Sequence, residues 1–154
     1  MTEADATLVA LYQPRIRELA ARVRSDRRLS LPDVTVTRRS PVCGSTLTLD
    51  MRADGDILTE IGWKARACTL GMASLGIVSL VGAGQTCGRI AEVGDRLEQT
   101  LHGKVSDFPA PWEDLSIFAA AREYPSRFGS ILLPFQTIAQ GFDDLSVSSV
   151  GRHL

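Results

Sequence analysis

Ser40-Pro41-Val42-Cys43-Gly44-Ser45-Thr46-Leu47-Thr48-Leu49-Asp50-Met51-Arg52-Ala53-Asp54-Gly55-Asp56-Ile57 opens the stretch that decides the fold, and Leu58-Thr59-Glu60-Ile61-Gly62-Trp63-Lys64-Ala65-Arg66-Ala67-Cys68 completes it. Leu47, Leu49 and Met51 alternate with Thr46, Thr48, Asp50 and Arg52. This period of two predicts a strand with one buried and one wet face. Asp54-Gly55 supplies the positive φ angles of a tight hairpin turn. A further strand follows over Ile57–Ala65, with Ile57, Ile61 and Trp63 on its inner face. Cys43 stands just before this hairpin and Cys68 just after it. A hairpin returns the chain to its starting point, so the two thiols are expected near each other, which is one way to build a two-thiolate site.

Upstream, the alternation Val34-Thr35-Val36-Thr37 predicts a first strand, giving three antiparallel strands. Leu8, Leu11, Tyr12, Ile16, Leu19 and Val23 recur at helical steps between arginines, so Ala4–Arg24 reads as an amphipathic helix. Pro14 either kinks it or marks a true start at Gln13. Downstream of Cys68, Leu70, Met72, Leu75, Ile77, Val78, Leu80 and Val81 predict a helix buried on most sides, ended by Gly82-Ala83-Gly84. Ile90, Val93, Leu97 and Leu101 form one stripe of a helix over Thr86–Leu101 that closes at Gly103. Lys104–Trp112 reads as a loop, Glu113–Glu123 as a short helix and Ile131–Gln140 as another, with Pro134 tolerated in its first turn. Residues 1–142 form one domain, and the serine-rich residues 143–154 are expected to be a flexible, fraying tail.

At 154 residues the chain can bury ~70% of its unfolded surface and needs no covalent staple. Its 17 basic and 18 acidic residues give no electrostatic reason to expect a nucleic-acid or acidic-membrane partner. No apolar run reaches the ~18 residues of a membrane span. Two acidic and no basic residues precede the first apolar stretch, the wrong order for a secretory signal, so the expected location is cytoplasmic. Three cysteines in that compartment point to metal, catalysis or plain burial rather than to disulfides.

Pro41-Val42-Cys43-Gly44, the turn Asp54-Gly55-Asp56-Ile57, Cys68 with Met72-Ala73-Ser74, and Tyr124-Pro125-Ser126-Arg127-Phe128-Gly129-Ser130 together resemble the U-type iron–sulfur cluster assembly scaffolds. The long interval between Cys68 and Ser130 resembles the SufU-like branch of that family. The resemblance implies an α+β SufE/NifU-like fold, a three-stranded antiparallel sheet packed against helices on one face. It also implies iron–sulfur cluster assembly, as a scaffold or as a sulfur-accepting partner of a cysteine desulfurase, with apoproteins as acceptors and Cys43 at the position of the sulfur acceptor. No independent enzyme activity is implied beyond sulfur transfer.

The family's ligand set is three cysteines and the aspartate two positions after the first. It falls here on Cys43, Ser45, Cys68 and Ser130, so a carboxylate and a thiol have become hydroxyls. Hydroxyls are poor ligands for zinc or iron near neutral pH, and iron, a cluster or zinc is expected to bind weakly at Cys43 and Cys68. The histidine or lysine that the family carries beside its last cysteine is replaced by Gly129. Cys68 precedes a helix whose unpaired first N–H groups favour thiolate, and Arg38, Arg39 and Arg66 are available to add positive charge. The alternative is a divergent interaction module that kept the fold and lost metal binding. Cys87 or a carboxylate such as Asp50 is the nearest substitute ligand. Cys87 reads first as a structural thiol, His102 and His153 as surface residues, and Trp63 and Trp112 as packing residues.

Overall fold

The structure is a computed structural model that describes residues 13–42, 44–104 and 107–152. The alternating stretch forms the centre of a three-stranded sheet in the order β1-β2-β3, with β1 at Val34–Arg39, β2 at Thr46–Asp54 and β3 at Ile57–Arg66, all antiparallel. Leu47, Leu49 and Met51 of β2 lie opposite Ala65, Trp63 and Ile61 of β3, and all six are buried. Cross-strand partners share a face, so these six side chains make the floor of the core.

The hairpin loop is Gly55-Asp56, and only Gly55 has a positive φ, +61°. One positive φ at the first loop position is the signature of a II′ turn, so Asp54 belongs to the strand rather than to the turn. Ile57 departs from expectation: it is 38% exposed, whereas Leu58 is fully buried. Arg52 pairs with Glu60 but Ala53 pairs with Leu58, leaving Thr59 as an extra residue. This bulge flips the alternation at the turn end of β3.

Helices cover the floor from one side. Pro14 is the first residue of α1 (Pro14–Ala21), whose N-cap is Gln13, and Ile16, Leu19 and Ala20 bury its inner face. Residues 1–12, on which the start of the expected amphipathic helix falls, lie outside the described part, and the helix ends at Ala21 rather than at Arg24. The uncharged run after Cys68 forms α2 (Thr69–Val81), with Gly82 at its C-cap. Thr86 caps α3 (Cys87–Leu101) by accepting the Arg89 amide at 3.1 Å, and Ile90, Val93, Leu97 and Leu101 form its buried stripe. Glu113–Glu123 is helical but of the tighter 3-10 type. Trp112, expected in a loop, is completely buried, and its indole N–H donates to Gln85 Oε1 at 3.2 Å.

The final helix, α4, runs over Phe128–Arg152, three residues earlier and a dozen later than the expected Ile131–Gln140. Pro134 therefore lies inside it and leaves the Ser130 carbonyl without its usual amide four residues on. The backbone of residues 143–152 is helical where fraying was expected. That stretch lacks proline, and buried Phe142 and half-buried Leu145 anchor the helix beyond Gln140. Among the described residues no helix is long and apolar enough to cross a membrane.

Asp50 corrects the expectation of a wet outer face on β2, because it is fully buried. It accepts hydrogen bonds from Arg28 Nε (2.8 Å) and Nη2 (3.0 Å), the Leu29 amide (2.9 Å) and Thr35 Oγ1 (2.6 Å). The Arg28 hydrogen bond, helped by Thr35 and Leu29, outweighs burial and lowers its carboxyl from 3.8 to about 2. A depressed folded-state value means stability that is present above pH 3.8 and lost as pH falls through about 2. Arg28 is half exposed, so solvent screening limits the contribution to about 1–2 kcal/mol. Asp50→Asn is expected to lose that amount at neutral pH and to flatten the acid limb of the stability curve. Urea melts between pH 2 and 7 measure both, and an unchanged acid limb would contradict the assignment.

Candidate sulfur site at the open end of the sheet

Arg39, Thr46 and Arg66 pair across one end of the sheet. Just beyond it, the β1–β2 loop closes on itself, with the Ser40 amide donating to the Ser45 carbonyl (2.8 Å) and the Gly44 amide to the Ser40 carbonyl (2.9 Å). Gly44 makes this closure possible with a φ of +71°. Cys43 itself lies outside the described residues. Its neighbours Pro41, Val42 and Gly44 are exposed.

Three chain ends meet beside this loop. Ser45 directly precedes β2, Cys68 is the N-cap of α2, and Ser130 lies in the first turn of α4. Ser45 Oγ and Ser130 Oγ are 3.1 Å apart and hydrogen-bonded, and the Cys68 thiol donates to Ser130 Oγ at 3.4 Å. Both serines are buried, whereas Cys68 is half-buried. A second hydrogen bond joins the helices here, from Ser74 Oγ to the Ile131 carbonyl at 2.6 Å.

Two glycines reserve this space, of which the sequence connected only Gly129 with the site. A Cβ at Gly71 would overlap Ser130 Oγ, and one at Gly129 would lie 2.5 Å from Ser40 Oγ. Ser40 thus blocks the space beside Gly129, the position where the resembled family has a histidine or lysine. The visible signal for Gly71 was its place one helical turn after Cys68.

The other expected contributors are placed elsewhere. Cys87 opens α3 at the hairpin-turn end, its amide donating to the Asp56 carbonyl (2.7 Å). The length of β3, roughly 30 Å at ~3.3 Å per residue, separates it from Cys68. Burial, with Asp143 and Asp56 nearby, pushes its thiol up, consistent with a structural role. Asp50 is committed to Arg28. His102 caps α3 and packs edge-on against Phe128, with centroids 5.4 Å apart, and His153 lies outside the described residues. Of the three arginines, Arg66 turns to the Ala65 carbonyl and Asp26, and Arg38 reaches Gln140. Arg39 lies beside the cysteine loop, its Nη2 3.8 Å from where a Cβ on Gly44 would be.

Among the described residues no three His, Cys, Asp or Glu side chains converge as metal ligands. The donor set here is one thiol and two mutually bonded hydroxyls. Even with Cys43 added it does not fit a tightly held zinc ion or cluster, which needs about four strong donors.

The chain matches no protein-family model. Over 108 residues it is 22% identical to the zinc-dependent sulfurtransferase SufU of Bacillus subtilis, covering 70% of this chain and 74% of that protein. Its fold superposes on the N-terminal NifU-like protein of Brucella abortus with a TM-score of 0.83 and 26% identity, covering 91% of this chain and 97% of the other. A putative iron–sulfur cluster assembly scaffold for the SUF system, from Fervidobacterium islandicum, shares the fold with a TM-score of 0.75 and 20% identity, covering 86% and 97%.

Proposed function

The chain is related in fold and in sequence to the U-type iron–sulfur cluster assembly scaffolds, and from that premise we propose that it serves cluster assembly in the cytoplasm chiefly by accepting sulfur. Cys43 takes a sulfane sulfur from a cysteine desulfurase and passes it towards apoprotein acceptors, and iron, a cluster or zinc binds only weakly. The observation that carries this reading is the meeting of Ser45, Cys68 and Ser130 beside the Cys43 loop, where hydroxyls stand in place of a carboxylate and one thiol of the resembled ligand set while Cys68 keeps its thiol.

The chemistry needs no metal. The Cys43 thiolate attacks the outer sulfur of the enzyme's persulfide, a new S–S bond forms, and the desulfurase thiolate leaves. Exposed residues on either side of Cys43 suit a thiol that must reach into another protein's active site.

With labelled cysteine and a desulfurase, label is expected on the wild-type chain and is lost in Cys43→Ala. The same chain, purified without added metal, is expected to carry well under one zinc, removed by a chelator without a change in melting temperature. A full, chelator-resistant zinc would mean that a ligand has been overlooked. Absence of label from every cysteine would leave the second reading, a non-metal-binding interaction module with this fold, which the Ser45–Ser130 hydrogen bond favours.

A further inference from the structure

We infer that the groove between α3 and α4 is a docking site for a cationic amphipathic helix of another protein, on a surface separate from the Cys43 loop. The two helices run antiparallel. His102 meets Phe128 at one end, Gly94 meets Phe135 in the middle, and Cys87 lies near Asp143 at the other. Gly94 sets their separation, because a Cβ there would come within 3.2 Å of Phe135 Cβ. Helices drawn together at a glycine, with the short side chains of Ala91 and Ala139 further along the seam, leave a trough where larger residues would build a ridge. Its volume is about 150 Å³, and Leu132 and Phe135 form its apolar floor. Ala91 and Ala139 are exposed and Leu132 is half-buried, so this apolar strip faces outwards.

Charge decides what the trough accepts. Asp95 and Glu98, one helical turn apart, form its rim on the α3 side. Both also border an adjoining hollow of about 300 Å³ that reaches His102 and Lys104. Among the described residues neither carboxylate takes part in an ion pair. The arginines of α3 are engaged elsewhere, Arg89 with Glu92 at 3.8 Å and Arg96 with Asp107 at 3.1 Å. Exposed Asp143 and Asp144 extend the negative surface along α4. Two uncompensated carboxylates beside an apolar strip attract cations and favour a ligand with one cationic and one apolar side.

A helix has the shape that fits. The trough runs from Ala91 to Glu98 on α3 and from Leu132 to Ala139 on α4, about 10 Å or two turns at ~1.5 Å per residue. A third helix laid along an antiparallel pair buries its i, i+3, i+4 stripe in such a groove. Lysines or arginines one turn apart on that helix, with Cβ atoms ~6 Å apart, reach Asp95 and Glu98 together. This chain does not supply the occupant. In its own arginine-rich helix α1, Ile16, Leu19 and Ala20 are completely buried in the chain's core. Residues 1–12 carry two acidic and no basic side chains, the same sign as the rim.

The test titrates the full chain into a fluorescent helical peptide of about 18 residues made of leucine and lysine, with the leucines on one face. Saturable binding is expected at ~0.15 M salt. Asp95→Lys with Glu98→Lys should weaken it roughly tenfold. Glu113→Lys with Glu123→Lys, the same charge change at residues that do not line the groove, should alter it less than about threefold. Ala139→Gln, which fills the trough without changing its charge, should weaken binding roughly fivefold. All these positions are exposed, and Ala91→Gln serves as the readout if Ala139→Gln does not fold. No binding, or equal losses from the two charge reversals, overturns the inference. Equal binding by a peptide of the same composition with its leucines scattered also overturns it, in favour of charge alone. Self-association of the chain, seen by sedimentation without peptide and abolished by Asp95→Lys with Glu98→Lys, would assign the groove to a second copy instead.

Discussion

Combining Ser45→Asp with Ser130→Cys is expected to make the melting temperature of the chain depend on zinc. Ser130 Oγ is already 3.4 Å from Cys68 Sγ and 3.1 Å from Ser45 Oγ. Sulfurs on a tetrahedral zinc with ~2.3 Å bonds lie about 3.8 Å apart, so the substituted atoms need to move only by tenths of an ångström. Both changes are small in volume, although both positions are buried, so repacking is slight but the new carboxylate is desolvated. Without metal, the buried carboxylate has no cation to pair with, and the variant should melt slightly below wild type. With free zinc at a thousand times the dissociation constant, binding adds about 4 kcal/mol, or roughly 10 °C for a domain of this size. Wild type should show almost no rise. Thermal melts with zinc and with chelator decide the matter. A folded double variant that ignores zinc would mean that the Cys43 loop does not complete the site, and the four-position assignment would fall.

The second large effect is purely steric. Gly76 lies where α2 crosses α1, and a Cβ there would overlap the backbone carbonyl of Leu19, with the Leu19 carbon 2.7 Å away. Leu19 and Ala20 are completely buried, so the obstacle is main chain within a packed helix and cannot swing aside. Gly76→Ala must therefore separate the two helices, at about 3 kcal/mol or more, which lowers the melting temperature by roughly 6–12 °C. Gly88, near the start of α3, has nothing within 4 Å of the same added carbon. There the identical substitution should stabilise by up to about 1 kcal/mol, through helix propensity and a less flexible unfolded chain. Urea denaturation of the two variants gives opposite signs if the helix crossing is as described. A neutral Gly76→Ala would mean that α1 and α2 are not in backbone contact.

The sequence by itself determined the parts of the fold that depend on a few neighbouring residues. The alternation of Leu47, Leu49 and Met51, the glycine at 55, the stripe from Ile90 to Leu101 and the helix stop at Gly82 each express a local period or a local φ requirement. Such signals survive whatever the rest of the chain does. The hairpin also made Cys68 legible as the residue before a helix, because strand length and turn position are local too. Family-like motifs around Cys43, Cys68 and Ser130 marked the positions to inspect.

Only the tertiary structure decided what depends on how separate segments meet. The alternation rule assigned Asp50 to solvent, but residues 28 and 29 fold over that face and supply Arg28 and the Leu29 amide. An extra residue at Thr59 reversed the roles of Ile57 and Leu58, and a bulge of that kind has no residue signature of its own. Pro134 suggested a helix start close before it, yet α4 begins at Phe128 because its packing against α2 and the sheet outweighs one missing amide bond. The hydrogen bonding among Ser45, Cys68 and Ser130, positions that the family resemblance had grouped, belongs to the same class. A serine carries no sequence signal for facing another serine far along the chain. Whether its hydroxyl meets water, a metal ligand or a thiol is decided by where the ends of β2, α2 and α4 come to rest.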